Sequence, residues 1–86
     1  MSETHATEPG ALIRSYREGA GLSLDALADI LEQIGYERPS VAKLSRIETG
    51  RHPVSIDILP GLAAVTGIPA SKLRPELAAI FDEAAQ

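Results

Sequence analysis

The stretch from Ser23 to Gly35 constrains the chain more than any other. Its apolar residues Leu24, Leu27, Ala28, Leu31 and Ile34 recur three and four apart, so they fall on one face at about 100° per residue and predict an amphipathic helix. Both ends are marked. Ser23 can accept a first-turn N–H, Asp25 sets a negative charge near the positive end of the helix dipole, and Gly35 stops the helix. A short helix of this kind is stable only with its apolar face covered, so the rest of the chain must supply that cover. The 86 residues suffice for one compact domain.

The flanking segments read as further short helices. Pro9 suits a first helical position, and Leu12, Ile13 and Tyr16 form a stripe that ends between Gly19 and Gly21, with Tyr16 expected to fill the core. Gly35 to Pro39 reads as a turn, because Pro39 pushes Arg38 out of helical geometry. Next comes SVAKLSRIETG, with Ser40 as N-cap and Gly50 as C-terminal stop. Leu44 and Ile47 share one face with Glu48 beside them, while Ala42, Lys43, Ser45, Arg46 and Thr49 face the other way. After an exposed loop from Arg51 to Val54, Ser55 or Asp57 could cap a fourth helix. That helix is expected to begin near Leu59, with Pro60 as its first residue, and to run through Leu62, Ala63 and Val65 to Gly67. A single turn ending at Leu73 and a last helix opened by Pro75, with Leu77, Ile80, Phe81 and Ala84 as its stripe, complete the chain. The expected fold is all-α, with five or six helices. Residues 1–8 read as a disordered arm, 9–69 as the domain and 70–86 as a helical extension.

Several function classes drop out. Without cysteine there are no disulfides or thiolate ligands, and His5 and His52 stand apart with no carboxylate at ligand spacing, so neither metal nor cofactor is expected. No nucleophile is paired with a base and no Gly-rich phosphate loop occurs, which argues against an enzyme. Asp25, Asp29 and Glu32 read as the solvated side of their helix. No apolar run approaches the ~20 residues of a membrane span and the first ten residues lack signal-peptide character, so a cytoplasmic protein is expected. The net charge of −4 is unevenly spread: Arg38, Lys43, Arg46 and Arg51 cluster with only Glu37 and Glu48 among them.

Two short helices joined by a turn, the second basic on its outer face, describe a helix-turn-helix. The runs LIRSYREGAGL, SLDALADIL, LSRIETGRHPVS and LPGLAAVTGIP, spanning Leu12 to Pro69, resemble the Cro and phage-repressor type of DNA-binding domain, also called the xenobiotic-response-element family. The resemblance implies a lambda-repressor-like fold and a double-stranded DNA partner read in the major groove. It also implies an internal ion pair between Arg17 and Glu48, and base-edge contacts from Ser40, Val41, Ala42 and Arg46. Arg46 is the best single reader, since a guanidinium can bond guanine O6 and N7 together. Lys43, Thr49 and Arg51 resemble backbone-positioning residues. From Ala28 to Glu48 the chain is longer than the compact family pattern, through either an extra helical turn or a longer loop, and the surplus carries Tyr36 and Arg38 towards the DNA backbone.

The expected role is a transcriptional regulator, a repressor that binds an inverted-repeat operator as a homodimer, with the apolar last helix as a candidate dimer surface. The rival is a protein-interaction module, an antitoxin-like adaptor whose main partner is a protein, suggested by the acidic body and that same apolar helix.

Overall fold

A computed structural model describes residues 8–77 of the chain. Five α-helices follow one another: α1 (Pro9–Gly19), α2 (Leu24–Gln33), α3 (Val41–Glu48), α4 (Leu59–Thr66) and α5 (Ala70–Leu73). A 3-10 turn, Pro75–Leu77, closes the described residues, and no strand occurs among them. The expected arm over Met1 to Thr7 and the Ile80, Phe81 and Ala84 stripe lie outside the described residues.

The helices begin where the capping chemistry puts them. Pro9 opens α1, where a missing N–H costs nothing. Ser23 Oγ accepts from the Ala26 N–H at 3.0 Å, and Ser40 Oγ accepts from the Lys43 N–H at 3.0 Å. Gly50, at φ +81°, closes α3: its N–H reaches the Ile47 carbonyl (3.2 Å) and the Arg51 N–H reaches that of Arg46 (2.9 Å). A side chain at that φ would be strained, so glycine is what lets the chain leave α3 sharply.

Three expectations are corrected. Neither Ser55 nor Asp57 caps α4; its N-cap is Ile58, whose N–H bonds the Ser55 carbonyl at 3.1 Å in a preceding turn. The helix starts directly after that turn, one residue earlier than expected, so Leu59 comes first in α4 and Pro60 second. Tyr16 is 36% exposed and does not fill the core. The choice left open between helices two and three is also decided: α2 stops at Gln33, and the surplus residues form the loop from Ile34 to Ser40.

The core gathers Ile13, Leu27, Ala28, Leu31, Leu44, Ile47, Val54, Ile58, Leu59, Leu62 and Leu73. A fully buried Leu or Ile adds roughly 1.5–3 kcal/mol, so these residues carry most of the favourable free energy of folding. α3 packs against both α1 and α2, α4 packs against the same two helices, and α5 packs against α4 and α1. Two close approaches fix this arrangement. A Cβ at Gly10 would lie 2.2 Å from the Ile47 carbonyl oxygen and 2.6 Å from that of Glu48, so the start of α1 is pressed backbone to backbone against the end of α3. The Tyr36 ring likewise lies against Gly61 of α4, where a Cβ would come within 2.8 Å of it. The long loop is thereby pinned at its middle, with Pro39 buried at its end.

Candidate nucleic-acid interface

The inward side of α3 is held by one ion pair. Arg17 Nε donates to Glu48 Oε2 (2.7 Å), Nη2 donates to Oε1 (3.0 Å), and Nη1 donates to the Leu22 carbonyl (2.8 Å). The side chains are 14% and 5% exposed, so this bidentate pair is largely withdrawn from water. Its hydrogen bonds and the Glu48 charge raise the Arg17 pKa above the usual guanidinium value, against the burial that opposes them. The pair implied by the family resemblance is present, and it ties α1, the α1–α2 turn and α3 together.

With Leu44, Ile47 and Glu48 turned inward, the opposite side of α3 faces solvent. Val41 is 42% exposed, Ala42, Arg46 and Thr49 are exposed, and Lys43 and Ser45 are half-buried. Ser40 uses its oxygen as the cap acceptor, which leaves its O–H free to donate outward. Thr49 Oγ1 lies 3.0 Å from the Ser45 carbonyl oxygen and 3.3 Å from that of Arg46, so its proton is held by the helix and only its lone pairs face out. Lys43 Nζ stands 3.5 Å from Asp57, a loose, exposed pair.

Arg46 and Arg51 make no side-chain hydrogen bond or ion pair within the described residues. The N–H groups of Arg51 and His52 both point back to the Arg46 carbonyl, at 2.9 and 3.3 Å, which fixes the start of the loop beside the end of α3. A groove of about 400 Å³ runs there, lined by Lys43, Arg46, Ile47, His52, Pro53 and Ser55.

Arg38 sits elsewhere. Its Nη2 donates to Asp25 Oδ1 at 2.7 Å, and its Nη1 bridges Asp29 and Glu32. The hydrogen bond to Asp29 raises its pKa further, ahead of the opposing desolvation and the bond to Asp25. Of the eight residues singled out as DNA-facing, Ser40, Val41, Ala42, Lys43, Arg46, Thr49 and Arg51 therefore lie on or beside α3, while Arg38 lies against the acidic side of α2. The signal for this was present in the sequence: Asp25, Asp29 and Glu32 recur at i, i+4 and i+7, one stripe within reach of the following loop.

Arg74 was not singled out at all. Its Nη1 donates to the Val54 carbonyl at 2.7 Å, tethering the loop after α3 from the C-terminal side, and its Nε pairs with Glu76. A contact across twenty residues with a backbone oxygen leaves no trace in local sequence.

Two helices joined by a loop, the second clamped on one side and presenting polar and cationic side chains on the other, make up a helix-turn-helix unit. Residues 9–77 match the family described as helix-turn-helix domain, and the chain belongs to that family, which is of the Cro and xenobiotic-response-element class. Neither a curated protein nor a solved structure matches the chain. Among the described residues, no helix is long and apolar enough to cross a membrane.

Proposed function

We propose that the chain is a sequence-specific, double-stranded DNA-binding transcriptional regulator that seats α3 in the major groove. The observation that carries this reading is Arg46: an exposed guanidinium on the outward side of α3, next to small side chains, with no acceptor holding it among the described residues. Such a group can donate to guanine O6 and N7 together, and each good bidentate contact of that kind discriminates by roughly 1–3 kcal/mol. Val41 and Ala42 suit close approach and contact with thymine methyl groups, and Ser40 can donate to a base edge. Lys43 and Arg51 are the candidates for phosphate contacts, which set register and orientation without reading sequence, and Thr49 could join them only by turning its proton away from the Ser45 carbonyl.

In this account the protein is a cytoplasmic repressor, acting by occupancy of an inverted-repeat operator as a homodimer. Two copies would read half-sites about 34 Å apart, or a multiple of that, and double the contacts of a module with few cations. The test is selection of bound duplexes from a random library, with wild type and Arg46→Ala in parallel at low and moderate salt. An inverted repeat that wild type enriches and the variant loses is the expected result. Failure of wild type to enrich any sequence at either salt would overturn the reading and turn attention to a protein partner.

A further inference from the structure

The unusual feature of this domain is the loop between α2 and α3, and the arginine in it that pairs with the carboxylates of α2. Asp25, Asp29 and Glu32 put three carboxylates in a line along the exposed side of α2, where like charges one turn apart repel. Arg38 answers all three with one guanidinium, and its Nη2 also lies 3.5 Å from the Asp25 backbone carbonyl. Because Arg38 is only two residues before the Ser40 cap, at most about 7 Å of chain separates it from the start of α3. The first turn of α2, with Asp25 in it, is therefore held beside the end of α3 that leads into the groove. In a helix-turn-helix the first helix of the pair crosses the DNA backbone. An unanswered carboxylate stripe there would meet phosphate.

Loop order alone does not account for this arginine. Tyr36 against Gly61, the buried Pro39 and the Ser40 cap already fix the path of the connection. What none of them supplies is positive charge.

We propose that Arg38 is a positioning residue for DNA binding that acts through Asp25 and Asp29: an internal counter-ion that clasps the α2–α3 connection to the acidic side of α2 and remains there when DNA is bound. This rests on the DNA-binding reading given above. It differs from a direct phosphate contact in one decisive respect: the charges in the clasp can be exchanged without loss of function.

The experiment compares wild type, Arg38→Glu and the charge-swapped pair Arg38→Glu with Asp29→Arg, on a selected duplex and on a random duplex of equal length. Arg38→Glu is expected to weaken binding to both duplexes by about tenfold or more at low salt, with the loss shrinking as salt rises. The swapped protein has the net charge of wild type and a rebuilt clasp, and is expected to return to within about threefold of wild type, since paired residues couple while independent ones do not. Binding in the swapped protein as weak as in Arg38→Glu would overturn the proposal in favour of direct phosphate contact. Unchanged binding in Arg38→Glu would overturn it in favour of a solvated pair with no role. A wild type that binds neither duplex would remove the DNA reading and the positioning role together, and is told apart from those two by the wild-type control. Hydrogen exchange of the free proteins adds a readout without DNA: faster exchange at Gly35 and Tyr36, whose N–H groups bond the Glu32 and Leu31 carbonyls, in Arg38→Glu, reversed by the swap, with Leu27, Leu31 and Leu44 unaltered throughout. Exchange at Gly35 and Tyr36 that is identical in all three proteins would contradict the clasp itself.

Discussion

Arg46 and Arg38 are both surface arginines, eight positions apart in the chain, and their surroundings are opposite. Around Arg46, α3 offers Ala42, Ser45 and Thr49, none of which carries a charge to pair with its guanidinium, and Glu48, two residues on, is turned inward and taken by Arg17. Around Arg38, α2 offers three carboxylates at helical spacing. The exposure of a cation therefore does not decide whether it is available to a ligand. What decides is whether the fold brings an acceptor to it, and among the described residues it brings three carboxylates to Arg38 and none to Arg46.

Arg17 marks the far end of that scale, a pair so withdrawn from water that losing one member is costly. Glu48→Ala should leave the guanidinium buried without its partner and lower the unfolding free energy by about 3–5 kcal/mol, measured by chemical denaturation. An unaltered denaturation midpoint would mean that Arg17 finds other acceptors and that the clamp on α3 lies elsewhere.

The next largest effect tests how rigidly α3 is presented. In Gly10→Ala the new methyl meets backbone oxygens of Ile47 and Glu48, which cannot turn aside as a side chain would. A loss of about 3 kcal/mol, the upper end of ordinary overpacking costs, is expected from thermal unfolding. Full stability would show that α1 and α3 can separate cheaply.

Arg46→Ala should do the reverse. Stability stays within about 0.5 kcal/mol, as for surface changes generally, while specific DNA binding weakens by roughly 1–3 kcal/mol with relaxed base preference. Titrations of one labelled duplex and its single-base variants report both. Arg51→Ala is smaller and different in kind: equal weakening on every sequence, with the salt slope lower by about one.

The smallest effect concerns the tether at Arg74. Its hydrogen bond to Glu76 holds that carboxyl below the ordinary 4.5. In the window below 4.5 the unfolded chain binds the proton more readily than the folded one, so this stabilisation is present above that value and is lost as the pH falls through the lowered folded pKa. Glu76→Gln should remove that part of the acid dependence, seen as a flatter stability profile below pH 4.5, with little change at neutral pH. The exposure of Glu76 keeps the effect slight.

Helix positions were legible because local chemistry sets them. Ser23, Ser40, Pro9 and Gly50 act on groups within a few residues of themselves, and the stripes of α2 and α3 follow from helical period alone. The outward side of α3 was legible for the same reason. What was not legible depended on where separate segments meet. Pro60 is the second residue of its helix and not the first because the turn over residues 56–58 leads straight into α4, which begins one residue earlier than expected. Arg38 looked like one more cation of a basic middle, since its partners lie six to thirteen residues back across a loop whose path the sequence does not state. Gly10 and Arg74 answer to backbone oxygens, and backbone oxygens are the same at every residue.

Base reading by the Arg46 guanidinium, which has no partner among the described residues, can be tested at a single acceptor atom. The most direct measurement is a cycle: affinities of wild type and Arg46→Ala for the selected duplex, and for the same duplex with 7-deazaguanine replacing the contacted guanine, which removes the N7 acceptor alone. The altered base is expected to weaken wild type and to leave the variant nearly unaffected, because the group that used N7 is gone. Equal weakening of both proteins at every guanine of the site would contradict it, and would assign Arg46 to the phosphate backbone or to solvent.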